Sequence, residues 1–137
     1  MEIIISTIII IACAVLSLAT HKPSIKSCCY TSTKPTKVYL AIPYSRVSKV
    51  MSYKTANEKS AELFRKGYHV YSPISMCHGM ENMPKDWSFW EEYDTEMIKW
   101  ADELHVVKMP GWDNSVGVQA EIKIARKLKK PVKYIEV

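Results

Sequence analysis

"ELHVVKMPGWDNSVGVQAEIKIARKLKKPVKYIEV", Glu103 to Val137, is the stretch that decides the fold. It opens on "ELHVVK", a short run of β-formers. "MPGWDN" follows as a loop, with a glycine and an acid–amide pair. Val118, Ile122 and Ala125 then recur at three- and four-residue spacing, which predicts a helix running to about Lys129. "PVKYIEV" returns to β-formers. Strand, helix and strand in that order make a βαβ unit, and such units build parallel sheets.

Upstream the same alternation repeats. "KVYLAI", Lys37 to Ile42, reads as a first strand ended by Pro43. "YKTANEKSAELFRKG", Tyr53 to Gly67, carries Ala56, Ala61, Leu63 and Phe64 among charges and stops at glycine, so it reads as an amphipathic helix. "YHVYSP" is a second strand, "ISMCHGMENMPK" a loop, and "DWSFWEEYDTEMIKWA" a second helix with Asp86 or Lys85 at its cap. The pattern predicts one α/β domain over residues 37–137, with a parallel sheet of four to five strands. Ligands of such sheets bind beyond the carboxyl ends of the strands. Three loops leave that edge: Pro43 to Val50, Ile74 to Lys85, and Met109 to Asn114.

A chain of 137 residues supports one such domain. The net charge of +5 is modest, and Lys22, Lys26 and Lys34 precede the domain. No basic stripe interleaved with aromatics appears, which argues against a nucleic-acid partner. Cys13, Cys28, Cys29 and Cys77 form no CxxC pair and no metal-ligand spacing, so neither a metal nor a disulfide framework is expected.

Residues 1–20 differ from the rest. Ile3 to Thr20 is an uncharged apolar run of about 18 residues, the lower end of a membrane span. Lys22 and Lys26 follow it, which by charge bias would orient an anchor with the domain in the cytoplasm. A cleaved signal peptide and a start upstream of the true domain, leaving a cytoplasmic protein, are the other readings. Residues 21–36, rich in Pro, Ser, Thr and Lys, read as a linker.

Two carboxylates fall where side chains should be buried. On the second helix Trp87, Trp90, Met97 and Ala101 share one face, and Asp94 lies in the middle of it. A carboxylate there is costly unless it is paired or lines a cavity. Arg46 or a loop amide as its partner would make it structural; a cavity would raise its pKa. On the third helix Glu121 borders the Val118–Ile122–Ala125 stripe, and Gly117, one turn earlier, leaves open the space above it. Pairing of Glu121 with Lys123 or Arg126 is the structural alternative. Ser115, Asp113 or Asn114 caps this helix, or Ser115 and the free N–H groups hold an anion, with Gly111 and Gly117 allowing close approach. Two carboxylates facing one cavity suit glycosidic-bond chemistry: one attacks or stabilises the sugar carbon while the other handles protons. His78 lies in a loop on the same edge and is an acid–base candidate, whereas His105, inside a strand, is expected to be packed. Lys123, Arg126, Lys127, Lys129 and Lys130 read as a solvated face.

Taken together, "VYLAIPYS", "GYHVYSPI", "DWSFWEEYDTEMIKWADELHVV" and "MPGWDNSVGVQAEIKIARKLKKPV" resemble the nucleoside 2-deoxyribosyltransferase-like superfamily, and within it a group of small phage and bacterial members. The resemblance implies a flavodoxin-like (Rossmann-like) three-layer sandwich, a homodimer and no cofactor. It implies cleavage of the N-glycosidic bond of a nucleoside or nucleoside 5′-monophosphate. Glu121 matches the nucleophile and Asp94 the aspartate that assists the leaving base. Ser115 and Gly117 match the 5′-phosphate loop. Tyr39, Ile42 and the turn Pro43–Ser45 match the nucleoside-binding first loop, with Arg46 as an anion contact. Transferases carry an acid where Ser115 stands, which favours hydrolysis of a nucleotide over base exchange. An NAD or dinucleotide glycohydrolase remains open, as does a non-catalytic, membrane-tethered nucleotide sensor.

Overall fold

The computed structural model describes residues 34–45, 47–84 and 86–137. In chain order these form β1 (Lys37–Ala41), α1 (Lys49–Arg65), β2 (His69–Tyr71), α2 (Pro73–Cys77), α3 (Trp87–Trp100), β3 (Glu103–Val107), a 3-10 turn (Trp112–Asn114), α4 (Val116–Lys127) and β4 (Val132–Ile135). The strands make a single parallel sheet in the order β2-β1-β3-β4. Among the described residues that is the flavodoxin-like order without a fifth strand, and it reverses direction between β1 and β3.

Period-two alternation along the strands separates two apolar layers. Tyr39 and Ala41 of β1 and Leu104 and Val106 of β3 pack against Ile98 of α3 and Val118, Ile122 and Ala125 of α4. Val38 and Leu40 of β1, with Ile42, and Val107 of β3 pack on the other face against Ala56 and Leu63 of α1. Both faces of the sheet are covered, so β1 and β3 read as continuous apolar runs. Ile98, wholly buried, belongs to the α3 stripe in the place where Trp87 and Trp90, only half-buried, were expected to anchor it.

Several element ends differ from the sequence expectation. Helix α1 begins at Lys49 rather than near Tyr53, because Ser48 caps it through the Met51 amide. The Ser52 hydroxyl, fully buried, donates to the Pro43 carbonyl at 2.7 Å and so ties α1 to the turn after β1. The segment expected to be a plain loop after β2 contains α2, started by Ser72 as cap and Pro73 at the first helical position. Asp86 is the cap of α3. Helix α4 ends at Lys127, two residues short of expectation. Lys130 is not part of a solvated face: its ammonium donates to the carbonyls of Lys99 and Ala101 at the end of α3.

No helix among the described residues is long and apolar enough to cross a membrane. The apolar run Ile3–Thr20 and its expected helix, the linker up to residue 33, Arg46 and Lys85 lie outside the described residues.

Candidate active site

The reversal of strand order opens a crevice at the carboxyl ends of β1 and β3, and a cavity of about 540 Å3 lies there. Loops after β1 and β2 and the first turns of α3 and α4 surround it. Asp94 and Glu121 both line it. They are 5% and 6% exposed, so both carboxylates sit inside the fold rather than on its surface.

Glu121 is held from behind. The Tyr39 hydroxyl donates to its Oε1 at 2.7 Å, while Oε2 is buried and unpartnered. Asp94 Oδ1 is likewise buried with no hydrogen bond. Glu121 is not paired as its structural alternative required: Lys123 and Arg126 are exposed, and Arg126 donates to the Tyr134 hydroxyl instead, while Arg46, the alternative partner of Asp94, lies outside the described residues. Burial pushes Glu121 up to about 8, with the Tyr39 hydrogen bond opposing and the nearby Asp94 charge adding to the rise. Burial likewise pushes Asp94 up to about 6, again against the effect of Tyr39. The Asp94 charge thus couples the protonation of Glu121 to that of its neighbour. Burial, then the Glu121 and Asp94 charges, holds the Tyr39 hydroxyl well above its ordinary range, so it remains a donor.

Ser115 lines the cavity at the start of α4, 5% exposed, in extended geometry. Its hydroxyl accepts from the Val118 amide at 3.5 Å, a long contact that leaves it free to turn toward a ligand. Asp113 and Asn114 stay exposed in the preceding turn and do not cap the helix. Gly111 has φ +84, the left-handed region that this turn requires. Gly117 and Glu121 line the same cavity, and the Trp87 ring stands beside Gly117. A Cβ at Gly117 would meet Trp87 Cε3 at 3.7 Å, an ordinary contact.

The first and second loops meet across the cavity mouth. Tyr44 Oη lies 3.0 Å from His78 Nδ1, and the Tyr53 ring stacks on the imidazole with centroids 4.3 Å apart. Ile42, Ser45, His78, Ser115 and Gly117 are thus brought together with Asp94 and Glu121 around one cavity. Tyr39, Pro43 and Gly111 lie outside its lining. Tyr39 supports the nucleophile candidate rather than the ligand, and Pro43 supports the turn. Sequence reasoning missed Cys77 and Asp86 on the cavity wall, although both fall on or beside a loop it had assigned to this edge. His105 is buried on the α1 face of the sheet, where its Nε2 lies 2.7 Å from Glu103 Oε1; Lys133 pairs with the other Glu103 oxygen.

The doubly wound parallel sheet, the family-model match and the likeness to a solved 2-deoxyribosyltransferase support membership of the nucleoside 2-deoxyribosyltransferase-like superfamily. The chain belongs to the family described as "Domain of unknown function (DUF1937)", whose profile matches residues 36–137. No curated protein matches it. Among solved structures it is similar to the 2-deoxyribosyltransferase of the psychrotolerant bacterium Bacillus psychrosaccharolyticus. The two are 27% identical with a TM-score of 0.58, over 74% of this chain and 72% of that one. A conserved protein from Enterococcus faecalis V583 is 24% identical with a TM-score of 0.56, over 74% of this chain and 63% of that one, and shares the fold.

Proposed function

We propose that the protein is an N-glycosidase that cleaves the N-glycosidic bond of a nucleoside 5′-monophosphate or related nucleotide, with Glu121 as nucleophile. The observation that carries this reading is the pair of buried carboxylates, each with a bare oxygen, in one cavity. The likeness to a 2-deoxyribosyltransferase supports glycosyl chemistry of this kind.

In the proposed reaction Glu121 Oε2 attacks C1′ and the C1′–N bond breaks. The bond's electron pair stays on the base nitrogen, which takes a proton from Asp94. Water then attacks C1′ of the glycosyl ester, gives its proton to the Asp94 carboxylate and releases Glu121. Cationic character at C1′ draws negative charge to Glu121, and Asp94 supplies the proton that the leaving base needs. The 5′-phosphate would sit at the start of α4, against Ser115 and the free N–H groups of the first turn. Pairing as a homodimer belongs to the same proposal.

The test is release of free base by the full chain from a panel of ribo- and deoxyribonucleoside monophosphates, nucleosides and NAD. Release by wild type that Glu121→Gln abolishes, with binding retained, is the expected result. Binding without release from any member would instead indicate a nucleotide-sensing domain.

A further inference from the structure

The proposed reaction sets how a nucleotide lies along the cavity. The strand order β2-β1-β3 puts the segments after β2 and after β3 on opposite sides of β1. Glu121 is fastened to Tyr39 of β1, so C1′ lies over the middle strand of the three. Ser115, beyond β3, takes the 5′-phosphate end. The base and C5′ project from opposite ends of a sugar ring, so the base extends toward the segment after β2. His78 follows α2 in that segment and lines the cavity.

His78 is clamped by two tyrosines. The Tyr53 ring stacks on the imidazole, with centroids 4.3 Å apart and planes 13° from parallel. The Tyr44 ring stands edge-on at 87°, and its hydroxyl lies 3.0 Å from Nδ1. A phenol oxygen shares a lone pair with its ring, so it donates more readily than it accepts, whereas a bare imidazole nitrogen accepts well. The Lys49 ammonium, 5.8 Å from the centre of the Tyr44 ring, draws electron density from the phenol and strengthens it as a donor. Tyr44 thus donates to Nδ1, and that bond places the imidazole proton on Nε2. A ring so held offers the ligand an N–H donor in a set direction.

Resting on the glycosidase reading, we infer that His78 selects the base, and that the site takes nucleotides whose base carries an exocyclic carbonyl, a 6-oxopurine or a 4-oxopyrimidine. The Nε2–H group donates to the carbonyl oxygen. An amino group at the same ring position sets donor against donor and leaves the imidazole N–H unmatched once the ligand has displaced water. Trp87 and Trp90 on the cavity wall supply stacking faces that accept either ring size, so the choice between oxo and amino falls to His78.

Titration of the full chain carrying Glu121→Gln, which holds a nucleotide without consuming it, tests the selection. The ligands are two pairs of 5′-monophosphates, inosine with adenosine and uridine with cytidine, each pair contrasting an oxo with an amino group. The oxo member of at least one pair is expected to bind about tenfold more tightly. His78→Phe keeps a flat ring against Tyr53 and should cut that preference to less than about threefold by weakening the oxo member alone. Tyr44→Phe should also cut it, and should tighten the amino member, because the imidazole is then free to present an acceptor. No oxo preference in either pair, or a loss in His78→Phe that is equal for both members, would overturn the inference. Base release by wild type keeps the two readings apart. Release without oxo preference in binding sinks the base assignment alone. An oxo preference that needs His78, with no release from any of the four nucleotides, sinks the glycosidase reading alone.

Discussion

The Tyr39 hydroxyl donates to Glu121 Oε1 across 2.7 Å, linking the interior of β1 to the middle of α4, 82 residues further along the chain. This bond is the one direct support the Glu121 carboxylate has, and it opposes the rise that burial imposes. Tyr39→Phe should therefore raise the Glu121 pKa further. A hydrogen bond to a charged group contributes about 1.5–3 kcal/mol, so kcat should fall roughly 10- to 100-fold. KM should change little, and the limb of the activity profile near pH 8 should move to higher pH. Unchanged kcat at every pH would show that the bond does not tune the nucleophile.

Activity on a neutral base needs one carboxylate ionised and the other protonated. Burial lifts Asp94 to about 6 and Glu121 to about 8, so kcat/KM should be bell-shaped with limbs near those values. A profile flat from pH 5 to 9 would count against the pair as the acid–base machinery.

The same burial makes Glu121 a stability liability. Its folded pKa, about 8, exceeds the ordinary 4.5, so the fold binds its proton more tightly than the unfolded chain does. Its contribution is full below about pH 4.5 and is lost as pH rises through about 8. Glu121→Gln should abolish base release yet exceed wild type at pH 8.5 by roughly 2–4 kcal/mol in denaturant unfolding, with the difference vanishing near pH 4.5. A variant less stable than wild type at pH 8.5 would refute this.

Ser115 has two roles that one substitution separates. Ser115→Ala removes the α4 cap and should cost about 1 kcal/mol of stability. If the hydroxyl also meets a 5′-phosphate, KM for a nucleoside monophosphate should rise about tenfold, by the loss of roughly 1.4 kcal/mol, while KM for the nucleoside holds. Equal changes in both KM values would leave Ser115 a cap alone.

Gly111 and Gly117 should respond in opposite ways. Gly111→Ala forces a side chain into the left-handed region and should destabilise by about 1–2 kcal/mol. Gly117→Ala places a Cβ in ordinary contact with Trp87 inside a helix and should stabilise by about 0.5–1 kcal/mol. Thermal unfolding of the two variants checks both signs.

The sequence made β1, β3 and α4 legible because burial on both sheet faces leaves uninterrupted apolar runs and because the α4 stripe has a clean helical period. Asp94 and Glu121 stood out for the same reason: a charge on an apolar stripe breaks a pattern. Tyr39 gave no such signal. Inside a strand a tyrosine is an ordinary β-former, and its hydroxyl finds its partner only after two crossovers bring α4 over β1. The start of α1 and the whole of α2 were hidden because their caps, Ser48 and Ser72, sit among turn-forming residues. The Tyr44–His78–Tyr53 cluster joins two loops and α1, which no single window of sequence displays.

The placement of the tryptophans gives the molecule an optical handle of its own. Of its four, Trp87 and Trp90 line the cavity and Trp100 and Trp112 do not. Two of the four indoles therefore sit beside whatever enters the site. Quenching by a stacked ring would report occupancy in real time without a label, and the other two indoles would serve as an internal standard.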